Sequence, residues 1–169
     1  MNVVPVVFSS EKALERHISD HTEAIFGERI HWHASERKLP GDAGLWVFAD
    51  LVGSDAQKTP VIVEVKLLRP ESERKYDLAR EAIGQVLHYA YAYLSKRVNL
   101  PPMLLFDIAT ASENVPSDDA LKSGLSNDLR LFIVGEAFSQ PVENMCRMLR
   151  AFGINIEHLY VNPKGEPPP

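Results

Sequence analysis

Two charged residues interrupt an aliphatic run in the middle of the sequence, the segment VIVEVK at 61–66. Its β-branched residues are typical of a buried strand. Because side chains alternate along a strand, Ile62, Glu64 and Lys66 share one face and three valines share the other. Burying charge is costly unless the charges are paired or bind a metal, so the fold must supply ionic partners to this face. A Glu64–Lys66 pair on an edge strand would also meet this need, but the flanking valines favour a central strand.

A third charged residue, Asp50, ends the apolar alternation of the preceding segment, LWVFADLV at 45–52. This segment is also predicted to be a strand. The turn-rich link GSDAQKTP at 53–60 predicts an antiparallel hairpin between it and the next strand. Such a hairpin would bring Asp50 close to Glu64.

These charged residues form a set suited to phosphodiester hydrolysis. Asp50 and Glu64 would make an oxygen-rich site of the kind that Mg²⁺ or Mn²⁺ prefers. Lys66 could hold the attacking water and counter the negative charge that builds on a phosphate. Glu11 could add a further ligand, directly or through water, and the Gln85 amide could orient a water or a phosphate.

The spacing of apolar residues along the whole chain predicts an α/β protein with a mixed sheet. A hairpin followed by strand–helix–strand units combines antiparallel pairing with crossover connections. We expect one domain over 1–161 and a disordered Pro-rich tail over 162–169. The predicted helices cover 11–26, 76–97 and 141–152, and the predicted strands cover 29–34, 45–52, 61–68, 102–109, 129–135 and 154–161.

Composition limits the classes of protein to which the chain can belong. The 169 residues contain one cysteine, Cys146, which excludes an internal disulfide and favours a reducing compartment such as the cytoplasm. No stretch reaches the roughly 18 apolar residues of a membrane span, so we expect no membrane insertion. The formal charge of −5 argues against a nucleic-acid partner, but a sum over the whole chain is a poor guide to any one groove.

A known family shares this arrangement. Asp50, the triplet EVK at 64–66 and Gln85 in GQVLHYAYAY, preceded by a helix with EKALERHI, resemble the motif of the PD-(D/E)XK nuclease superfamily. The resemblance covers about residues 9–95, with Ala49 in place of the usual proline before the aspartate. It implies a restriction-endonuclease-like core of αβββαβ order, in which helices flank a central mixed sheet. The C-terminal strand–helix–strand would be added to that core.

The resemblance also implies an activity, the divalent-metal-dependent cleavage of nucleic-acid phosphodiester bonds, with DNA as the expected substrate. It makes Mg²⁺ or Mn²⁺ the expected cofactor and a homodimer a possible assembly. Glu11 and Glu15 both match the glutamate of the N-terminal helix, and the choice between them stays open. The other matched residues are Asp50 and Glu64 as metal ligands, Lys66 as the catalytic lysine and Gln85 as the accessory glutamine.

Basic residues after the motif could contact a phosphate backbone. The first group, Arg69, Arg74 and Lys75, begins close to the expected catalytic lysine. A solvated loop with helix-type ion pairs explains this group equally well. A second possible contact zone consists of Arg29, Arg37 and Lys38.

Two other functions are compatible with these residues. The chain could be a catalytically inactive module of the same fold that binds nucleic acid or a partner protein. It could also be a metal-dependent enzyme acting on small phosphorylated molecules, although it has no Gly-rich P-loop to hold a nucleoside triphosphate.

Histidines and the cysteine carry weaker signals. His17 with His21, and His31 with His33, have the spacing of metal half-sites. Neither pair has an evident third ligand, so we expect these histidines to be solvated or to pack. We expect Cys146 to be a small buried apolar residue without an activated thiolate.

Overall fold

The computed structural model describes residues 8–40, 46–67, 75–96, 128–136 and 139–161, and a mixed sheet lies at their centre. Its strands are β1 (His31–Pro40), β2 (Trp46–Ser54), β3 (Pro60–Lys66), β4 (Arg130–Gly135) and β5 (Ile156–Tyr160). They lie side by side in chain order. The pairs β1-β2 and β2-β3 are antiparallel, whereas β3-β4 and β4-β5 are parallel. The predicted hairpin and the mixed sheet are therefore confirmed.

Helices cover both faces of the sheet. They are α1 (Glu11–Asp20), α2 (Thr22–Phe26), α3 (Lys75–Lys96) and α4 (Gln140–Ala151). The first begins as its sequence predicts, because the Ser10 side chain accepts a hydrogen bond of 3.1 Å from the Ala13 amide. Gly27 ends the second helix in the left-handed conformation, with φ of 72°. The α/β class with helices flanking a mixed sheet is confirmed.

The helix predicted over 11–26 is wrong in one respect, because it is interrupted at His21. There the backbone has φ of −121° and ψ of 33°, outside the helical range. The hydroxyl of Thr22 lies 3.1 Å from the Ile18 carbonyl and 3.0 Å from the Ser19 carbonyl. It also accepts a 2.8 Å hydrogen bond from the Trp32 indole. A side chain that binds backbone carbonyls in this way competes with the regular helical pattern.

The first strand is longer than the predicted segment 29–34: it continues to Pro40 and pairs with β2, with one register irregularity between Trp32 and Ala34. Pairing with a neighbouring strand overrides the weak local preference of the polar residues that follow the prediction. Gly53 on β2 permits the close approach of β1: a Cβ atom at this position would lie 2.7 Å from the His31 carbonyl oxygen.

β3 is the central strand and is buried along its whole length. On one face Ile62 belongs to the larger core, which is shared with α3 and α4. On the other face the valines 61, 63 and 65 pack with Leu14 and Ile18 of α1. The edge-strand alternative for the Glu64–Lys66 pair is therefore excluded. Both charged residues must be accommodated in the interior of the sheet.

Two predicted segments lie outside the described residues, the strand at 102–109 and the tail at 162–169. Within the part of the chain that is described, no helix has the length and apolar character needed to cross a membrane.

An ion-pair network fastens the end of the sheet opposite to the charged residues of β3. Arg130, the first residue of β4, donates to Glu28 at 2.6 Å and to Asp55 at 3.2 Å. Asp55 lies in the β2–β3 turn, and its other oxygen accepts hydrogen bonds from the Gln57 and Thr59 amides at 3.0 and 2.8 Å. The guanidinium thus connects β4 with the hairpin turn and with the segment before β1.

Removing this guanidinium should destabilise the fold. Arg130→Met leaves the Asp55 carboxylate, whose side chain is 6% exposed, without its cation. We expect the free energy of unfolding to fall by about 1–3 kcal/mol, measured by urea denaturation. The control Arg147→Met removes an arginine from the exposed surface of α4 and should change it by less than about 0.5 kcal/mol. Equal stability of the two variants would contradict this role for Arg130.

Candidate active site

β2 and β3 separate at the end of the hairpin where the charged residues lie. Their registered pairs end at Leu51↔Val63. One residue beyond this pair, the Asp50 side chain takes the place of a strand neighbour, because its Oδ2 accepts a hydrogen bond of 2.7 Å from the Val65 amide. The other edge of β3 stays paired with β4. The predicted proximity of Asp50 to the charged residues of β3 thus arises where two strands part.

Glu64 and Lys66 project toward α3 from the face of β3 that also carries Ile62. The Lys66 ammonium lies 2.9 Å from Glu64 Oε1, and the Glu64 side chain is only 2% exposed. The second carboxylate oxygen, Oε2, is also buried and has no hydrogen-bond partner of normal geometry within the described ranges. Among the described residues, this buried oxygen therefore has lone pairs that a ligand could use.

α3 places a row of polar side chains against these two residues. Glu81 lies 3.3 Å from the Lys66 ammonium. The Tyr89 hydroxyl interacts with the Glu64 carboxylate. Gln85 lies between these two in the sequence, and its buried Oε1 has no partner among the residues that are described.

Of this row, the sequence pattern predicts only Gln85 as a site residue. It does not predict Glu81 or Tyr89. The signal was present, because residues four apart on a helix share a face, and both missed residues are four positions from Gln85. They could not be identified as site residues from the sequence, because the sequence does not show which face of α3 meets β3.

α1 brings its two candidate glutamates to the same site from the other face of the sheet. Glu11 Oε1 lies 3.5 Å from the Leu67 amide, just beyond β3, and its charge acts on Glu64 and on Lys66. Glu15 is buried, forms an ion pair of 3.1 Å with Lys12, and its charge acts on Asp50. Each glutamate is thus associated with a different carboxylate of the site.

Negative charge exceeds positive charge in this buried region. Burial and then the neighbouring Glu64 carboxylate raise the pKa of Asp50 to about 7. Burial also raises the pKa of Glu64, in spite of its ion pair with Lys66. Burial alone would lower the pKa of Lys66, but its hydrogen bond to Glu64 and the surrounding carboxylates raise it, so the ammonium persists. One cation is shared among several carboxyl groups.

These properties fit a divalent cation. Asp50 and Glu64 offer hard oxygen donors, they repel each other electrostatically, and Glu64 Oε2 has no hydrogen-bond partner among the described residues. Among the described residues, however, no group of three or more His, Cys, Asp or Glu side chains is placed to hold a metal. The fit therefore depends on this pair of carboxylates, which is compatible with Mg²⁺ because that ion retains several waters.

The remaining candidates from the sequence are basic residues, histidines and the cysteine. Arg69 and Arg74 lie outside the described residues, and Lys75 is described only as the first residue of α3. His17 and His21 stack with ring centroids 4.1 Å apart, and no metal-type cluster includes them in the described chain. Cys146 is buried, as expected, and burial raises the pKa of its thiol to about 12.

Comparisons with known proteins identify relatives by fold. No family model matches the sequence, and no curated protein matches it by sequence. A solved structure of a repair endonuclease from Pyrococcus abyssi matches with a TM-score of 0.52 and 15% identity, over 92% of this chain and 48% of that one. A solved complex of EndoMS with double-stranded DNA matches with a TM-score of 0.51 and 15% identity, over 96% and 48% of the two chains. The chain spans about half the length of these structures and shares their fold.

The raised pKa of Asp50 should make stability depend on pH. In the folded protein this pKa is about 7, whereas in the unfolded chain it is near 4. The folded state therefore keeps a proton that the unfolded state has lost. The contribution of Asp50 to stability is fully present below about pH 4 and is lost as the pH rises through about 7.

Asp50→Asn removes this titration and should flatten the profile. Without divalent metal, the parent should lose roughly 2–4 kcal/mol of unfolding free energy relative to this variant between about pH 4 and pH 8. Urea denaturation at a series of pH values measures the difference. The control Asp20→Asn, at an exposed position on α1, should follow the parent. Parallel profiles for the parent and Asp50→Asn would contradict the raised pKa.

Proposed function

We propose that this chain is a divalent-metal-dependent nuclease of the PD-(D/E)XK type that hydrolyses phosphodiester bonds in DNA. The observation that carries the proposal is the group formed by the partly buried Asp50 and the buried Glu64 and Lys66 at the point where β2 leaves β3. Charged side chains at such a central position cost folding energy, and a functional site is the usual reason to retain them. The order α1, β1 to β3, α3 and β4 suits the expected restriction-endonuclease-like core.

In the proposed site Asp50 and Glu64 would hold Mg²⁺ or Mn²⁺, and Glu11 or Glu15 would support the ion, directly or through water. The bound metal would supply a Lewis acid that polarises the phosphate and lowers the pKa of a water molecule. Glu64 Oε2 is the protein atom best prepared to bind the metal, since it is buried and has no hydrogen-bond partner in the described structure.

The side chains around the carboxylates have complementary roles in the proposal. Lys66 keeps its proton, so its ammonium can position the attacking water and offset the negative charge that develops on the phosphate. The Gln85 carbonyl oxygen has no partner among the described residues and can accept a hydrogen bond from that water. The Tyr89 hydroxyl, whose pKa is raised by burial and by Glu64, stays protonated and can act only as a hydrogen-bond donor or acceptor.

DNA is the preferred substrate class because of two structural neighbours. The fold is shared with a repair endonuclease and with a protein solved in complex with double-stranded DNA. Those proteins are about twice as long as this chain, so their activity is transferred here as a proposal.

The second candidate is a non-catalytic nucleic-acid- or protein-binding module, which the lack of a three-carboxylate cluster among the described residues favours.

Loss of either charged residue of β3 should abolish cleavage. We expect Glu64→Gln and Lys66→Met to reduce the cleavage rate by at least about 100-fold, because they remove a metal ligand and the positioned cation. The assay follows plasmid and single- and double-stranded oligonucleotides with Mg²⁺ or Mn²⁺. The control Glu143→Gln alters a glutamate of α4 that pairs with Arg150 and should leave the rate unchanged. Cleavage by Glu64→Gln at the parental rate would refute the assignment.

Metal binding separates the enzyme from the inactive module without relying on cleavage. At saturating Mn²⁺ and slightly alkaline pH, the parent should melt about 5–10 °C higher than in EDTA, because a ligand that binds only the folded state stabilises it. Asp50→Asn should lose most of this shift, and calorimetric titration should show weaker Mn²⁺ binding. An inactive module would show the same melting temperature with and without the metal.

A further inference from the structure

We propose that Glu81 is a positioning residue for Lys66. Its role would be to hold the lysine ammonium at the site when the Glu64 carboxylate is engaged by metal and substrate. This inference rests on the proposed nuclease function. It concerns a side chain outside the sequence motif, since Glu81 lies on α3 one helical turn before Gln85.

The geometry gives Lys66 two anionic partners from different elements. The first is Glu64 on its own strand, with Oε1 2.9 Å from Nζ. The second is Glu81 on α3, with Oε1 3.3 Å from Nζ. The two partners differ in environment, because the Glu64 side chain is 2% exposed and the Glu81 side chain is 55% exposed. The ammonium therefore bridges the buried carboxylate and the solvent-facing side of the helix.

A second carboxylate partner becomes important for Lys66 when the first, Glu64, binds a metal ion. The side chain has four rotatable bonds and loses considerable rotamer entropy when it is fixed. A divalent cation on the Glu64 carboxylate would withdraw negative charge from Lys66 and repel its ammonium. Glu81 offers an acceptor that is held on a separate element. It can keep Nζ in place when the attraction of Glu64 is weakened.

The same charge has an opposite effect on substrate binding. Glu81 adds a negative charge close to the point where a phosphate would approach Lys66. An anion at this position repels a phosphate, so it weakens binding while it improves the placement of the lysine. Loss of a residue with these two effects should lower kcat without raising KM. A purely structural surface ion pair should affect neither.

Steady-state kinetics of Glu81→Gln test this division. We expect kcat to fall by about tenfold, because the ammonium is less well placed, and KM for the oligonucleotide to stay constant or decrease. The melting temperature should stay within about 2 °C of the parent, as expected for an exposed ion pair. The control Glu143→Gln breaks the Glu143–Arg150 pair of α4 and should leave both constants unchanged. An unchanged kcat in Glu81→Gln, or a fall in kcat with a proportionate rise in KM, would overturn the role.

A second measurement does not depend on activity. In the protein labelled with nitrogen-15 and measured both without metal and with Mg²⁺, the Lys66 ammonium should give an observable NMR signal at one fixed pH, identified by its absence in Lys66→Met. Glu81→Gln should broaden or shift this signal, because one of its two acceptors is neutral, whereas Glu143→Gln should not. An identical Lys66 signal in the parent and in Glu81→Gln would overturn the proposal. If the parent cleaves no nucleic acid, the nuclease function fails, and this measurement alone decides whether Glu81 positions Lys66.

Discussion

The hydrogen bond from the Val65 amide to Asp50 is the interaction on which the site depends. In an uninterrupted hairpin, a backbone carbonyl of β2 would compete for the amides of β3. Here the strand pairing ends at Leu51↔Val63, and a side-chain carboxylate accepts the next available amide. The buried amide is thereby satisfied while the two strands part. The same contact fixes Asp50 beside the charged face of β3, so strand separation and site formation have one cause.

The resulting electrostatic balance is unfavourable for the protein by itself. Asp50 and Glu64 are both largely buried and both have raised pKa values, while Lys66 is a single cation shared by several carboxylates. Stability alone would favour apolar residues at these positions, as the valines of the opposite face of β3 illustrate. Part of the formal charge of −5 is concentrated at this site, where a bound cation would offset it. The net charge of the chain therefore does not argue against an anionic partner.

The sequence predicts those parts of the structure that depend on local pattern. Alternation along β3 identified Glu64 and Lys66, and the turn between the strands identified their proximity to Asp50. The order of helices and strands followed from apolar spacing in the same way. What could not be predicted depends on contacts between elements. The break at His21 requires the position of Trp32, whose indole binds the Thr22 hydroxyl.

The rotation of α3 is a contact of this kind. Periodicity shows that Glu81, Gln85 and Tyr89 share a face, but not which strand this face meets. The sequence pattern predicts Gln85 as a site residue but does not identify Glu81 or Tyr89. Their contacts with Lys66 and with Glu64 exist because Ile62, on the same face of β3, packs in the core beneath α3. Core packing therefore sets the composition of the polar site as much as the charged residues do.

The two ends of β3 have complementary physical roles. At its start, the Arg130 network with Glu28 and Asp55 is satisfied by ion pairs and by backbone hydrogen bonds. At its end, Glu64 keeps an oxygen without a partner in the described structure. A strand can tolerate such an unsatisfied group only if the rest of its length is held firmly, since local strain persists where the surroundings over-determine it. The apolar packing on both faces of β3 and the ion pairs at its start provide this restraint. They hold the strand in place while Glu64 keeps this unsatisfied oxygen at its polar end.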